Sequence, residues 1–160
     1  MSGTSPLQGK TILAVDDEPG VLEVLSDELD MCHVVAKTTY HEAMEYLKTH
    51  MVDMAVLDIM GVNGFELLKY AVKRDVPAVI LTAHALSMDS LKKSIDMGAR
   101  AYIPKDKISE LVPVLEDVMT KGHRDAWQHL FERLGDVFNA TFGSDWKKDI
   151  IEIGSFIVPK

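Results

Sequence analysis

The chain has 160 residues, 47% hydrophobic and 26% charged, with a formal net charge of −8. That length buries the core of one domain with an appendage. It has no apolar run long enough to cross a bilayer, and the acidic balance argues against a general nucleic-acid-binding face. Its one cysteine, Cys32, excludes an internal disulfide and a cysteine-based zinc site and suits a reducing compartment.

Residues 1–9 are polar, with Pro6 and small neighbours; they fit no signal peptide and read as a disordered leader. Residues 11–15 (TILAV) then form a first predicted strand ending in Asp16, Asp17 and Glu18. Val21, Leu22, Val24, Leu25 and Leu29 recur at helical spacing behind it. A second strand is predicted at 33–36 and a second helix on Ala43, Met44, Leu47 and Met51. The third strand, 54–57, ends on Asp58, and Phe65, Leu67, Leu68, Tyr70, Ala71 and Val72 mark a third helix. A fourth strand, 77–81, starts on Pro77 and leads to Thr82; a fourth helix runs from Ser87 to Met97 with Gly98 beyond its end. The fifth strand, 101–103, runs into Lys105, and Ile108, Leu111, Val112, Leu115 and Met119 outline a fifth helix.

Near-continuously apolar strands alternating with helices imply a parallel sheet covered on both faces, and right-handed crossovers make it doubly wound. Ligands of such sheets bind beyond the carboxyl ends of the strands. There the sequence delivers Asp16, Asp17, Asp58, Thr82 and Lys105. Each alone is an ordinary turn or cap residue; their arrival together at four strand ends is not what capping produces. Gathered carboxylates repel unless a cation offsets them, and an all-oxygen donor set favours a hard ion such as Mg²⁺. Lys105 offers a compact positive charge to a phosphate-like group, and Thr82 offers a hydroxyl donor.

The motifs LAVDDE at 13–18, VLDIM at 56–60, GFE at 64–66, ILTA at 80–83 and GARAYIPK at 98–105 resemble the receiver domain of two-component response regulators, over about residues 10–121. The resemblance implies a flavodoxin-like sheet of order 2-1-3-4-5. It also implies that Asp58 accepts a phosphoryl group from a sensor histidine kinase or phosphotransfer protein in the cytoplasm, as a switch rather than an enzyme. Asp16 and Asp17 would hold Mg²⁺ with Asp58 and the backbone carbonyl of Met60. Thr82 and Lys105 would bind the phosphoryl oxygens, and Tyr102 would be the aromatic switch that turns inward with Thr82.

Two places depart from the family pattern. The loop after Asp58 is about two residues shorter and lacks a proline; Gly61, Val62, Asn63 and Gly64 imply a tight turn with positive φ at glycine or asparagine. Pro104 precedes Lys105 where a proline usually follows it, and Asp106 comes next. His84 lies two residues past Thr82, at the rim of the expected site. The altered loop leaves an alternative open: a receiver-like interaction module that works without phosphorylation.

The charge is divided unevenly, because residues 121–160 carry equal numbers of acidic and basic side chains and the whole net charge lies before them. That final stretch also holds 6 of the 11 aromatic residues. Trp127, Leu130, Phe131, Leu134, Val137 and Phe138 give residues 123–141 one apolar stripe, so 122–160 reads as an amphipathic helical extension with an apolar finish from Ile150 to Val158. The extension is too short and too little basic for a DNA-binding output domain. Packing on its own receiver, homodimerisation (there or through the fourth-to-fifth helix face) and partner docking are all open to it, without nucleic acid or membrane insertion.

Overall fold

A computed structural model describes residues 4–83 and 86–148. Five strands, β1 (Thr11–Val15), β2 (His33–Lys37), β3 (Met54–Leu57), β4 (Ala78–Thr82) and β5 (Ala101–Pro104), form one parallel sheet in the order β2-β1-β3-β4-β5. The connections are α1 (Pro19–Glu28), α2 (Tyr40–Thr49), α3 (Gly64–Lys73) and α4 (Met88–Asp96), and α5 (Leu111–Thr120) follows β5. A last helix, α6 (His123–Phe142), completes the described elements. The doubly wound fold expected from the alternation of strands and helices is the fold observed.

Burial follows position in the sheet. β3, β4 and β5 are buried at every residue, whereas the edge strand β2 is only half-buried. β5 is also an edge, but α4, α5 and α6 all pack against it, which removes an exposed row of backbone donors and acceptors. Helix starts follow local chemistry. Pro19 opens α1, the Thr39 hydroxyl accepts the Glu42 N–H at 3.2 Å, and Ser87 and Ser90 form a reciprocal capping box on α4.

Several expectations need correction. Pro77 lies outside β4; with no N–H to give the ladder, it contributes its carbonyl to the Ala55 N–H instead. Met51 lies beyond α2 and is 91% exposed, so it does not belong to that helix's buried stripe. Residues Lys105–Glu110 form a 3-10 segment and α5 starts only at Leu111. The expected disordered leader is ordered over residues 5–9: Leu7 is fully buried, Ser5 Oγ donates to Glu116 at 2.7 Å, and Cys32 Sγ donates to the Leu7 carbonyl at 3.4 Å.

The extension packs on its own body. Ala126, Trp127, Leu130, Phe131, Leu134 and Phe138 are buried, and Trp127 Nε1 donates to the Ala99 carbonyl at 3.0 Å. Phe131, Phe138 and Trp146 meet edge to face with centroids 4.9–5.9 Å apart. Gly143, with φ of +87°, ends the helix, and a helical turn begins at Trp146. The apolar finish from Ile150 to Val158 and the rim residue His84 lie outside the described residues.

Candidate phosphoacceptor site at the carboxyl ends of the strands

The sheet itself positions the site. Val15 pairs with Leu57, so Asp16 and Asp58 leave neighbouring strands at the same level. The Asp58 N–H donates to the Val15 carbonyl at 3.0 Å, and the Asp16 N–H donates to the Lys37 carbonyl at 3.2 Å. Ile80 pairs with Tyr102. Side chains alternate along a strand, so Thr82, two residues beyond Ile80, shares a sheet face with the Tyr102 ring. Asp16, Asp58, Thr82 and Tyr102 are all buried, while Asp17 and Glu18 are exposed.

Lys105 reaches into this group from the end of β5. Its Nζ lies 2.8 Å from Asp16 Oδ2, 3.0 Å from Glu18 Oε1 and 3.4 Å from Asp58 Oδ2. Burial alone would lower the Lys105 pKa. The hydrogen bonds to Asp16 and Glu18 and the charge of Asp58 outweigh it, so the ammonium is held above its ordinary range. The Asp58 pKa also rises, but there it disfavours the charged form: burial and the nearby Asp16 charge raise it from 3.8 to about 6, with Lys105 only partly offsetting them. Asp58 is therefore ionised near neutral pH, though with little margin.

The loop after Asp58 is the tight turn its glycines imply. Gly61 and Asn63 have φ of +83° and +54°. A Cβ on Gly61 would meet the Asp17 carboxylate at 2.3 Å, and one on Gly64 would stand 1.9 Å from the Asp58 carbonyl oxygen. Glycine thus lets the short loop fold back onto the acid cluster. Met60 sits on this turn with its side chain 53% exposed.

The residues present fit a divalent cation. Asp16, Asp17 and Glu18 offer carboxylate oxygens that lie within 4.8 Å of one another. Asp58 Oδ1 is buried with no hydrogen-bond partner among the described residues. A buried anionic oxygen without a partner is costly, and a hard cation beside it would supply the missing interaction.

Tyr102 is directed inward beneath α4. Its hydroxyl lies 2.5 Å from Ser90 Oγ and 3.4 Å from the Ser87 N–H. Burial pushes the phenol pKa up, against the effect of these hydrogen bonds. The sequence reading gave Glu18 no role and did not single out Ser90. The Glu18–Lys105 pair spans 87 positions of sequence, and no local pattern signals it. Ser90 was detectable only as a hydroxyl three residues after Ser87, the spacing of a capping box.

The family model of the response regulator receiver domain matches residues 12–116. The chain belongs to the response regulator receiver family. It is 32% identical over 117 residues to the heme response regulator HssR of Staphylococcus saprophyticus, covering 69% of this chain and 52% of that protein. It is 33% identical over 120 residues to the two-component response regulator ARR18 of Arabidopsis thaliana, covering 71% of this chain and 19% of ARR18. The chain thus spans about half of the first relative and about a fifth of the second. A response regulator from Thermotoga maritima superposes with a TM-score of 0.64 at 20% identity, covering 71% of this chain and 99% of that one. A CheY-like receiver domain protein from Methanospirillum hungatei gives 0.60 at 24% identity, covering 70% and 97%. These likenesses agree on the fold. The matched residues run from β1 into α5, and α6 lies beyond them.

Proposed function

We propose that this receiver accepts a phosphoryl group on Asp58 and passes the event to its surface through Thr82 and Tyr102. The observation that carries the reading is the placement of Asp58: a buried carboxylate with one oxygen facing Lys105 and the other without a hydrogen-bond partner among the described residues.

Asp16, Asp17, Asp58 and the Met60 carbonyl are the groups that would hold Mg²⁺. When bound, the ion supplies positive charge to offset the carboxylates and the oxygens of the incoming group. The chain's own residues do the rest. An Asp58 carboxylate oxygen attacks phosphorus in line, forming an acyl phosphate. The bond from phosphorus to the donor, a phosphohistidine nitrogen or the acyl oxygen of acetyl phosphate, breaks, and its electron pair leaves with the donor. Lys105 neutralises charge on the transferred oxygens, and to do so it loosens its contacts with Asp16 and Glu18. Thr82 donates its hydroxyl to one of those oxygens. Phosphate adds charge and acceptor atoms at the sheet edge, which draws Thr82 toward Asp58 and biases the packing of Tyr102 on the same face.

The donor is a sensor histidine kinase or phosphotransfer protein, and the site faces the cytoplasm in this reading. No helix among the described residues is long and apolar enough to cross a membrane. The apolar stripe of α6 is buried within the chain, so homodimer formation would use the α4–α5 face. Incubation with acetyl phosphate and Mg²⁺ tests the reading by intact mass and phosphate-affinity electrophoresis. A phosphorylated species is expected, absent in Asp58→Asn. A second reading, a module that works without phosphorylation, draws on the three-way grip of Lys105 on Asp16, Glu18 and Asp58, which already balances part of the acid cluster. Failure of wild-type protein to take up phosphate in that assay would favour it.

A further inference from the structure

Ser90 has more hydrogen-bonding work than an N-terminal helix residue needs. It sits in the first turn of α4, 8% exposed, and its Oγ donates to the Ser87 carbonyl at 3.1 Å. The same oxygen accepts the Ser87 N–H at 3.3 Å, while the Ser87 side chain accepts the Ser90 N–H at 3.0 Å. A hydroxyl has one proton and two lone pairs. The Tyr102 hydroxyl stands 2.5 Å from the same Ser90 oxygen. Either hydroxyl can donate across that contact. The Tyr102 oxygen lies within 3.4 Å of the same Ser87 N–H, so tyrosine and helix cap share the Ser87 N–H and the Ser90 hydroxyl.

We infer that Ser90 is a positioning residue of the switch: its hydroxyl clasps the Tyr102 phenol, so that the inward ring and the first turn of α4 are set together. The inference rests on the reading of Tyr102 as the residue that reports phosphorylation of Asp58. It adds a specific consequence. The ring is held inward through α4, so loosening the clasp moves the ring without touching the phosphoacceptor. α4 in turn receives the state of the ring at its cap, the place where a helix start is most easily weakened.

The test places 2-fluorotyrosine at position 102 alone in the full chain and follows its fluorine resonance and solvent isotope shift. Wild type should show one main, solvent-shielded resonance. Ser90→Ala should raise the solvent-exposed population about fivefold, the factor expected for one lost hydrogen bond. Ser90→Thr, which keeps the hydroxyl, should restore the shielded signal. Should the alanine variant fail to fold, Ser90→Cys keeps a weak hydrogen-bonding group at the position and is expected to move the same signal less. An unchanged spectrum in the alanine variant, or in the cysteine variant where alanine does not fold, overturns the inference; so does a threonine variant that behaves like alanine. Phosphate uptake from acetyl phosphate is measured in parallel. Wild-type protein that takes up none defeats the phosphoacceptor reading alone, since the fluorine signals judge the clasp independently.

Discussion

The two ends of the sheet are built on opposite principles. At the carboxyl ends of the strands, charge is gathered into the interior: Asp16 and Asp58 are buried, and Lys105 reaches both. Toward the amino end of β5, α6 is fixed by aromatic burial, with Trp127 fully buried and its N–H on the Ala99 carbonyl. Burial destabilises a lone charge and stabilises an apolar ring. The first end is therefore held under electrostatic tension that a new ligand can release, and the second has no such reserve. This difference explains why one end can switch while the other anchors.

The largest expected effect comes from breaking the anchor. Trp127→Ala removes a fully buried indole and one of the hydrogen bonds to the Ala99 backbone, so it should cost about 3–5 kcal/mol in urea unfolding. Phosphate uptake by the folded fraction should persist, because the polar contacts described for α6 run to Ala99, Asp117 and Glu110. Loss of uptake in fully folded protein would show that the two ends are not separable.

Next is Gly64→Ala, where the added methyl would stand 1.9 Å from the Asp58 carbonyl oxygen, a backbone atom that cannot yield cheaply. A destabilisation of about 1–3 kcal/mol is expected, with slowed phosphate uptake because the loop carrying Asp58 must shift. A fully active and stable variant would mean the short loop has slack.

Asp58→Asn sharpens the comparison through its sign. The folded pKa of Asp58 lies at about 6, above its ordinary 3.8, so the folded chain binds the proton more tightly than the unfolded chain. Stability from this group is present at low pH and is lost as pH rises from about 4 to about 6. Asparagine removes that loss. The variant should be more stable than wild type at pH 7 by roughly 3 kcal/mol and should lose this advantage near pH 4. Denaturant midpoints at both pH values check the expectation, and a destabilised variant at pH 7 would contradict the tension assigned to this end.

How much of this was legible in the sequence follows the same division. The alternation of strands and helices and the placing of Asp16, Asp17, Asp58, Thr82 and Lys105 at the strand ends were legible because apolar runs ending in polar residues are a local signal; the strand order and the part expected of Tyr102 came from the family resemblance. The positive φ at Gly61 and Asn63 was legible from turn chemistry. Leu7 was not, because one leucine among polar neighbours has no periodicity; Cys32 and residues near Met31 decide its place through contacts distant in sequence. The start of β4 after Pro77 depends on ladder pairing, and the cover over β5 depends on where α6 returns. The apolar stripe of α6 was plain, but packing in cis, self-association and docking all share that stripe, so only the fold separates them.

The smallest expected effect lies at the anchor end and runs opposite in pH. His123, at the start of α6, faces a cleft of about 370 Å³ shared with Arg100 and Asp75. Burial and the Arg100 charge lower its pKa from 6.5, against a hydrogen bond with Ala99. A base whose folded pKa is depressed contributes stability that is present above the unfolded value and lost as pH falls below 6.5. Wild type should therefore lose α6 contacts on acidification while Asp58 gains stability over an overlapping range, and the two slopes partly cancel. His123→Phe should remove the acid loss and leave the Asp58 slope exposed, so that stability rises monotonically from pH 7 toward pH 4.5. Trp127 fluorescence, followed with denaturant across that range, reads the α6 contacts directly. Identical pH profiles for variant and wild type would place the acid sensitivity elsewhere and remove the titratable contrast between the two ends.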